Sequence, residues 1–327
     1  MRKHKSWDTF DFSNLSDQEI KSILSEQNIP LSVEETRVVQ NEFLNRPPTL
    51  TELVLFSIQG SEHSSYKSSK EHIKHFITDG PNVILGAKDD AGVVSLSVDN
   101  NGNRYGLVVS HESHNHPSQI VPYEGAATGI GGNVRDVCCM GAEVMALGDS
   151  LRFGSVDRNK TKWIHDGVVS GIAGYGNPLG IPNVCGDLYF DEEYNENCLV
   201  TVLTAGVVKE KNVIRSRSPK NSAGYDLILV GKPTDNSGFG GASFASLELE
   251  EEKKQQNKGA VQEPNAFLER HILKSTYALF EQLEEGGLIE KIGFKDLGAG
   301  GVACASIELA DAAGLGAEVW VDKIHTS

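Results

Sequence analysis

The sequence predicts an α+β fold in which a small helical N-terminal segment precedes two sheet-based domains. Three observations carry this expectation. Capping-box signatures crowd the first stretch of chain, and short β-rich runs set in from about residue 81. Strands and helices then alternate irregularly, with hairpin-like neighbours instead of a repeated βαβ unit. At 327 residues the chain exceeds one ordinary core, and it divides into residues 1–75, 76–210 and 222–327.

In the first segment Ser16 and Glu19 stand ahead of Ile20, Ile23 and Leu24, and Ser32 and Glu35 ahead of Val38, Val39 and Phe43. Each pairs a hydroxyl cap with a carboxylate three residues on. Arg46-Pro47-Pro48 ends the second helix, and a third runs over Thr51–Phe56 and closes near Gly60. Strands are expected at Val83–Leu85, Val93–Val98 and Tyr105–Ser110, then a Gly/Ala-rich helix over 125–140. Val144–Leu147, Val184–Phe190 and Leu199–Val208 are further strand candidates, and the polar, basic run Lys209–Lys220 reads as a domain junction. Beyond it come a strand at Asp226–Val230, the Gly-rich turn Ser237–Gly241, a charged segment Glu248–Lys258 and a long helix over 265–285. A helix opening at Asp296–Gly301 and a strand at Ala317–Val321 complete the pattern.

A net charge of −15 argues against a nucleic-acid or anionic-membrane surface, each of which needs a basic footprint. An anionic small substrate would need Mg²⁺, local Arg or Lys, and helix N-termini to offset that field. Five cysteines without a C-x-x-C spacing imply neither a disulfide framework nor a zinc ribbon. No stretch of apolar residues is long enough to span a membrane, so a soluble, cytoplasmic protein is expected.

The densest chemistry lies in His111-Glu112-Ser113-His114-Asn115-His116-Pro117. In an extended strand Glu112, His114 and His116 share a face, and Pro117 sets them at a strand end. Glu112 suits Mg²⁺ and a histidine suits proton transfer near neutral pH, whereas the same donors also ligate zinc or iron. A second constellation, Gly125 to Asp136, joins small residues that allow backbone N–H groups close to a phosphate with Arg135 and Asp136. No Walker A motif is present. A third is Asp296 ahead of Leu297 to Gly301, a carboxylate before a Gly-rich helix start. The hydroxyl-rich run Ser61 to Lys70 reads by composition as a solvated loop.

Together these segments resemble the large subunit of phosphoribosylformylglycinamidine synthase. The stretch Glu112 to Gly154, the loop S-E-H-S-S-Y-K-S-S-K, the segment Gly180 to Phe190, the run GFGGASFAS and DLGAGG follow in that family's order, covering residues 50–321. The resemblance implies a helical linker followed by an aminoimidazole-ribonucleotide-synthetase-like N-domain and an incomplete C-domain of the same kind. It implies an ATP-dependent amidation in purine biosynthesis, in which an amide oxygen of formylglycinamide ribonucleotide is phosphorylated and ammonia displaces the phosphate. By the same resemblance His63 is a catalytic histidine and Tyr66 an ATP contact. Glu112 is a Mg²⁺ ligand, and Ser113, His114, Asn115 and His116 bind substrate, with His114 as proton acceptor. Arg135 and Gln262 contact substrate, and Asp136 and Asp296 ligate a second Mg²⁺. The implied partners are a glutaminase subunit or domain supplying ammonia, a small accessory subunit, and the C-terminal half of the enzyme or a second copy.

Three departures stand out. Ser110 replaces an ATP-binding lysine, with Lys67 or Lys70 as candidates to compensate; Val144 replaces a proline, and Ser64 a cysteine. Such subunits are expected to be about twice this length, with a pseudo-repeated second half. Two other readings are another ATP-using enzyme of the superfamily and an inert nucleotide-binding regulatory or assembly subunit.

Overall fold

A computed structural model of the chain describes residues 4–235, 237–238, 241, 259 and 261–327. The expected segment Glu248–Lys258 and most of the GFGGASFAS run lie outside the described residues. The chain forms two compact units. One takes in, of the described residues, 4–76, 241 and 299–304, and the other holds the rest.

The first unit is built on local signals. Helix α1 (Asp17–Glu26) and helix α2 (Val33–Val38) each start on the expected reciprocal cap, Ser16 with Glu19 and Ser32 with Glu35. The second helix runs on through Phe43 as a π-helical turn, Val39–Leu44. Helix α3 (Leu50–Gln59) carries a third capping box, Thr49 with Glu52, whose carboxylate also takes a hydrogen bond of 2.9 Å from Arg46. Apolar residues on these helices, Ile20, Leu24, Val33 and Leu53, close over Phe12 and Ile29. The hydroxyl-rich run is part helix, part turn. It folds into α4 (Glu62–Ser65) and α5 (Lys70–Ile73), tied by the Glu62 carboxylate, which accepts from the backbone of Ser68 and Ser69.

The second unit contains a six-stranded sheet in the order β1-β2-β3-β6-β4-β5. Its strands are β1 (Val83–Leu85), β2 (Gly92–Val98), β3 (Arg104–Ser113), β4 (Glu143–Phe153), β5 (Asn183–Phe190) and β6 (Leu199–Lys209). All neighbours pair antiparallel except β4 and β5. Short α6 (Asn115–Ile120) follows β3, and α7 (Pro122–Cys139) follows it. Helix α8 (Asn159–Leu179) joins β4 to its parallel neighbour β5, as a crossover must. Its glycines and Pro178 masked it in the sequence. A Cβ on Gly171 would stand 2.3 Å from the Tyr123 carbonyl oxygen, so those glycines permit close approach to the start of α7. Helix α9 (Ala266–Glu285) follows, and of helix α10 (Gly301–Asp311) residues 305–311 belong to this unit. Val108, Val200, Val202 and Phe153 of the sheet pack with Ile130 and Val134 of α7 and Ile164 and Val168 of α8 in one apolar core.

Two expectations fail. Asp226–Val230 and Ala317–Val321 form no strands. Among the described residues only a bridge between Thr234 and Thr326 links this stretch, and β-propensity without a ladder partner leaves Ile228 82% exposed. The stretch Lys209–Lys220 is anchored: Ile214 is buried in the core and its N–H donates to the Met140 carbonyl at 3.0 Å.

Candidate functional site

The His-rich segment does not run as one strand. Strand β3 ends at Ser113, His114 caps α6, and Pro117 occupies that helix's first turn, where its missing N–H costs nothing. Only Glu112 of the three expected residues therefore projects from the strand face. The segment is seated on glycines of α7 spaced like one helical face. A Cβ on Gly125 would lie 2.4 Å from Ser118 N, one on Gly129 2.9 Å from His114 Cβ, and one on Gly132 3.5 Å from Glu112 Oε2. The run Gly125 to Asp136 is helix, as expected for 125–140, and close packing accounts for its small residues. Its N–H groups belong to the helix ladder, and its missing side chains make room for the His-rich segment. His114 Nδ1 bonds the Gly125 carbonyl, which can only accept, so Nδ1 carries the proton and Nε2 is the basic nitrogen.

Three carboxylates from distant parts of the chain converge. One oxygen each from Asp90, Asp136 and Asp296 lies within 4.8 Å of the others. Ser110 Oγ donates to Asp136 at 3.1 Å and accepts from Asn133 Nδ2 at 2.8 Å. Burial, and then the charges of Asp296, Glu112 and Asp90, hold the Asp136 carboxyl well above the usual carboxylate range. Burial also raises Asp296, against the pull of Arg135. Glu112 keeps a solvent-open surface, yet protein crowded around its carboxyl and the charge of Asp296 push it up to about 7. Arg135, expected to grip substrate, is held by protein: its Nη1 donates to Glu269 at 2.9 Å and its Nε lies 3.6 Å from Asp296. Glu269 is buried and also accepts from Tyr175 Oη at 2.8 Å.

This donor set fits Mg²⁺. All three groups are hard oxygen ligands, and Asp90 Oδ2 is buried without a hydrogen-bond partner, as an atom awaiting a cation would be. A zinc or iron site would call for imidazole or thiolate, and the cluster offers neither. Asp90 escaped sequence reasoning because an acidic pair in the turn before β2 looks solvated; so did Glu269, on an ordinary amphipathic helix.

The remaining expected residues fall elsewhere. Ser113 ends β3 opposite Thr201, and Asn115 Oδ1 accepts from Val200 N at 2.8 Å, pinning α6 to β6. His116 lies within α6. Gln262 lines an open pocket with Val121, Glu124 and Pro264, and none of the clustered carboxylates lines it. His63 sits in α4 and Tyr66, in the left-handed conformation, ends it, both in the first unit. The Val144 departure has a structural reason: its N–H donates to Tyr277 Oη at 3.1 Å, which a proline could not do.

Sheet, glycine-seated histidine segment and acidic cluster define an AIR synthase related protein. The models for the N-terminal and C-terminal domains of that group match residues 88–208 and 222–326. The formylglycinamide ribonucleotide amidotransferase linker domain matches residues 14–67. Within that group the chain belongs with the PurL subunits of phosphoribosylformylglycinamidine synthase. It is 49% identical to the PurL subunit of Methanothrix thermoacetophila over 96% of this chain and 40% of that one. It is 43% identical to the PurL of Methanopyrus kandleri over 86% of this chain and 37% of that one. Thermotoga maritima PurL complexed with FGAR matches at a TM-score of 0.72 and 35% identity, covering 90% of this chain and 44% of that one. The same protein complexed with ATP matches at 0.69 and 32%, covering 90% and 42%. The chain thus spans about two fifths of the length of its curated relatives. No described helix is long and apolar enough to cross a membrane.

Proposed function

We propose that the chain provides catalytic machinery for the ATP-dependent carbon–nitrogen ligation that converts formylglycinamide ribonucleotide and ammonia to formylglycinamidine ribonucleotide, ADP and phosphate. The convergence of Asp90, Asp136 and Asp296 carries the reading, with Glu112 and Arg135 around it and His114 seated on the same helix. Complexes of the Thermotoga maritima homologue with FGAR and with ATP add to it. Asp136 and Asp296, joined by Asp90, would hold one Mg²⁺, and Glu112 another. Bound there, the metal offsets charge on the phosphoryl group being transferred. Arg135, held rigid by Glu269, orients an anionic substrate, and Ser113, Asn115 and His116 flank it. His114 Nε2 takes the proton that ammonia sheds on attacking the activated carbon. His63, Tyr66 and Gln262 keep the catalytic, ATP-contacting and substrate-contacting roles carried over from the family.

Phosphate release from ATP, with formylglycinamide ribonucleotide and ammonium, tests the proposal. It is measured for this chain alone and with the remaining portion of a homologous PurL. Turnover in at least one arm, reduced about a hundredfold by His114→Ala, is expected. A folded chain inactive in both arms overturns the assignment, and full turnover of the variant removes His114 as proton acceptor.

The partner reading rests on the open sheet face. Val94, Leu96 and Met145 are exposed, and edge strand β5 is exposed at every residue, a surface suited to a second sheet of the same kind. That sheet would come from the rest of a longer chain or from a second copy. A glutaminase and a small accessory subunit in a cytoplasmic assembly complete the reading, supported by the match to the Thermotoga maritima PurLQS structure, at a TM-score of 0.64. Light scattering at micromolar concentration should report a species larger than one chain; a monomer contradicts self-association.

A further inference from the structure

An ammonium group stands among the carboxylates. Lys295 Nζ bonds Asp90 and lies 3.0 Å from Glu308 Oε2, with 13% of its side chain exposed. Asp90 is thus shared between this ammonium and the acidic cluster. Withdrawing a lysine this far from water costs hydration and rotamer freedom, which neutralising a half-exposed Glu308 does not require. On β3 itself Ser110 stands where the resembled family carries an ATP-binding lysine, and its hydroxyl is engaged with Asp136 and Asn133. Of the two compensating candidates, Lys67 is paired with Glu35 at 2.6 Å and Lys70 opens α5.

We infer that Lys295 is the phosphate-binding cation of the nucleotide site, supplying from the segment before Asp296 the charge that Ser110 does not supply from β3. The inference rests on the nucleotide reading above. The ammonium pairs with Asp90. Mg²⁺ held by Asp90, Asp136 and Asp296 would compete for that carboxylate, and the flexible stem would let Nζ turn to a nucleotide phosphate. The same side chain therefore opposes the bare metal and favours the metal–nucleotide.

Calorimetry of Mg²⁺ alone and of Mg²⁺–AMPPCP on the whole chain reads both effects. K295Q should weaken Mg²⁺–AMPPCP about ten- to a hundredfold, the value of a lost charge-assisted hydrogen bond, while binding Mg²⁺ alone no less tightly than wild type. S110K on the K295Q background should recover most of the loss. A K295Q variant that binds Mg²⁺–AMPPCP like wild type, or loses Mg²⁺ and nucleotide together, overturns the inference. Acylation of Lys295 in the unmutated chain, read by mass spectrometry, needs no variant to fold. It should rise with Mg²⁺ and fall with Mg²⁺–AMPPCP, and unchanged labelling sinks the idea. Wild-type protein that binds Mg²⁺ but no AMPPCP overturns the nucleotide reading itself, and Lys295's role with it.

Discussion

Glu52 in the first unit and Glu112 in the sheet unit both stand at a junction, one opening a helix and one closing a strand, yet their surroundings drive them in opposite directions. Arg46 and the Thr49 cap hold the Glu52 carboxyl down at about 2. Crowding protein and Asp296 push Glu112 up to about 7. The contrast extends beyond the pair. Glu19 and Glu62 are lowered by hydroxyl and backbone donors, whereas Asp136, Asp296 and Glu269 are raised by burial. In the first unit carboxylates complete helices, and the fold gains from their charge. At the acidic cluster of the second, unlike its surface carboxylates Asp99, Asp187 and Glu196, the fold holds carboxylates where charge is unwelcome, an arrangement that makes sense when a cation is part of the function.

Removing Glu269 should produce the largest effect. Glu269→Ala leaves the half-buried Arg135 with only the longer contact to Asp296, a loss expected toward the lower end of the about 3–5 kcal/mol that breaking a buried pair costs. Chemical denaturation measures it, and a loss below about 1 kcal/mol would show that Arg135 is solvated after all. Next, Asp136→Asn should lower Mg²⁺ affinity about tenfold or more while leaving the metal-free protein no less stable, since a repelled charge is gone. Calorimetric scans with and without Mg²⁺ check both halves. An Asp136→Asn protein that melts lower without metal would erase the contrast between the units.

The smallest effect is a pH signature of opposite sign in the two units. Glu52, depressed when folded, contributes stability that is complete above about 4.5 and lost as pH falls through about 2. Glu112, raised when folded, contributes most below about 4.5 and loses it as pH rises through about 7. Hydrogen exchange by mass spectrometry should therefore show α3 loosening only on strong acidification. The β3 end should loosen from pH 5 to 7.5, and Mg²⁺ should flatten that slope. A shared sign would break the comparison.

What could be read from the sequence follows the same division. The Ser16–Glu19 and Ser32–Glu35 caps were legible because everything they need lies within four residues. The strands Val83–Leu85 and Val184–Phe190 announced themselves by composition, and Asp136 and Asp296 by resemblance. Asp90 and Glu269 were not legible, since only the sheet and the α7–α9 packing bring them to the cluster. The helix of α7 was legible from its small residues, but what its glycines pack against was not, because the His-rich segment reaches them only through the fold. Asp226–Val230 misled because strand formation depends on an edge elsewhere.

That glycine row has a consequence for engineering. Replacing interior helix glycines with alanine normally gains up to about 1 kcal/mol each, and a stabilisation screen would favour such changes throughout α7. At Gly125 and Gly129 the first added carbon would meet Ser118 and His114, lifting the reactive segment off its seat. The most conventional route to a hardier version of this protein thus runs through the two positions where hardiness and chemistry compete for the same cubic ångströms.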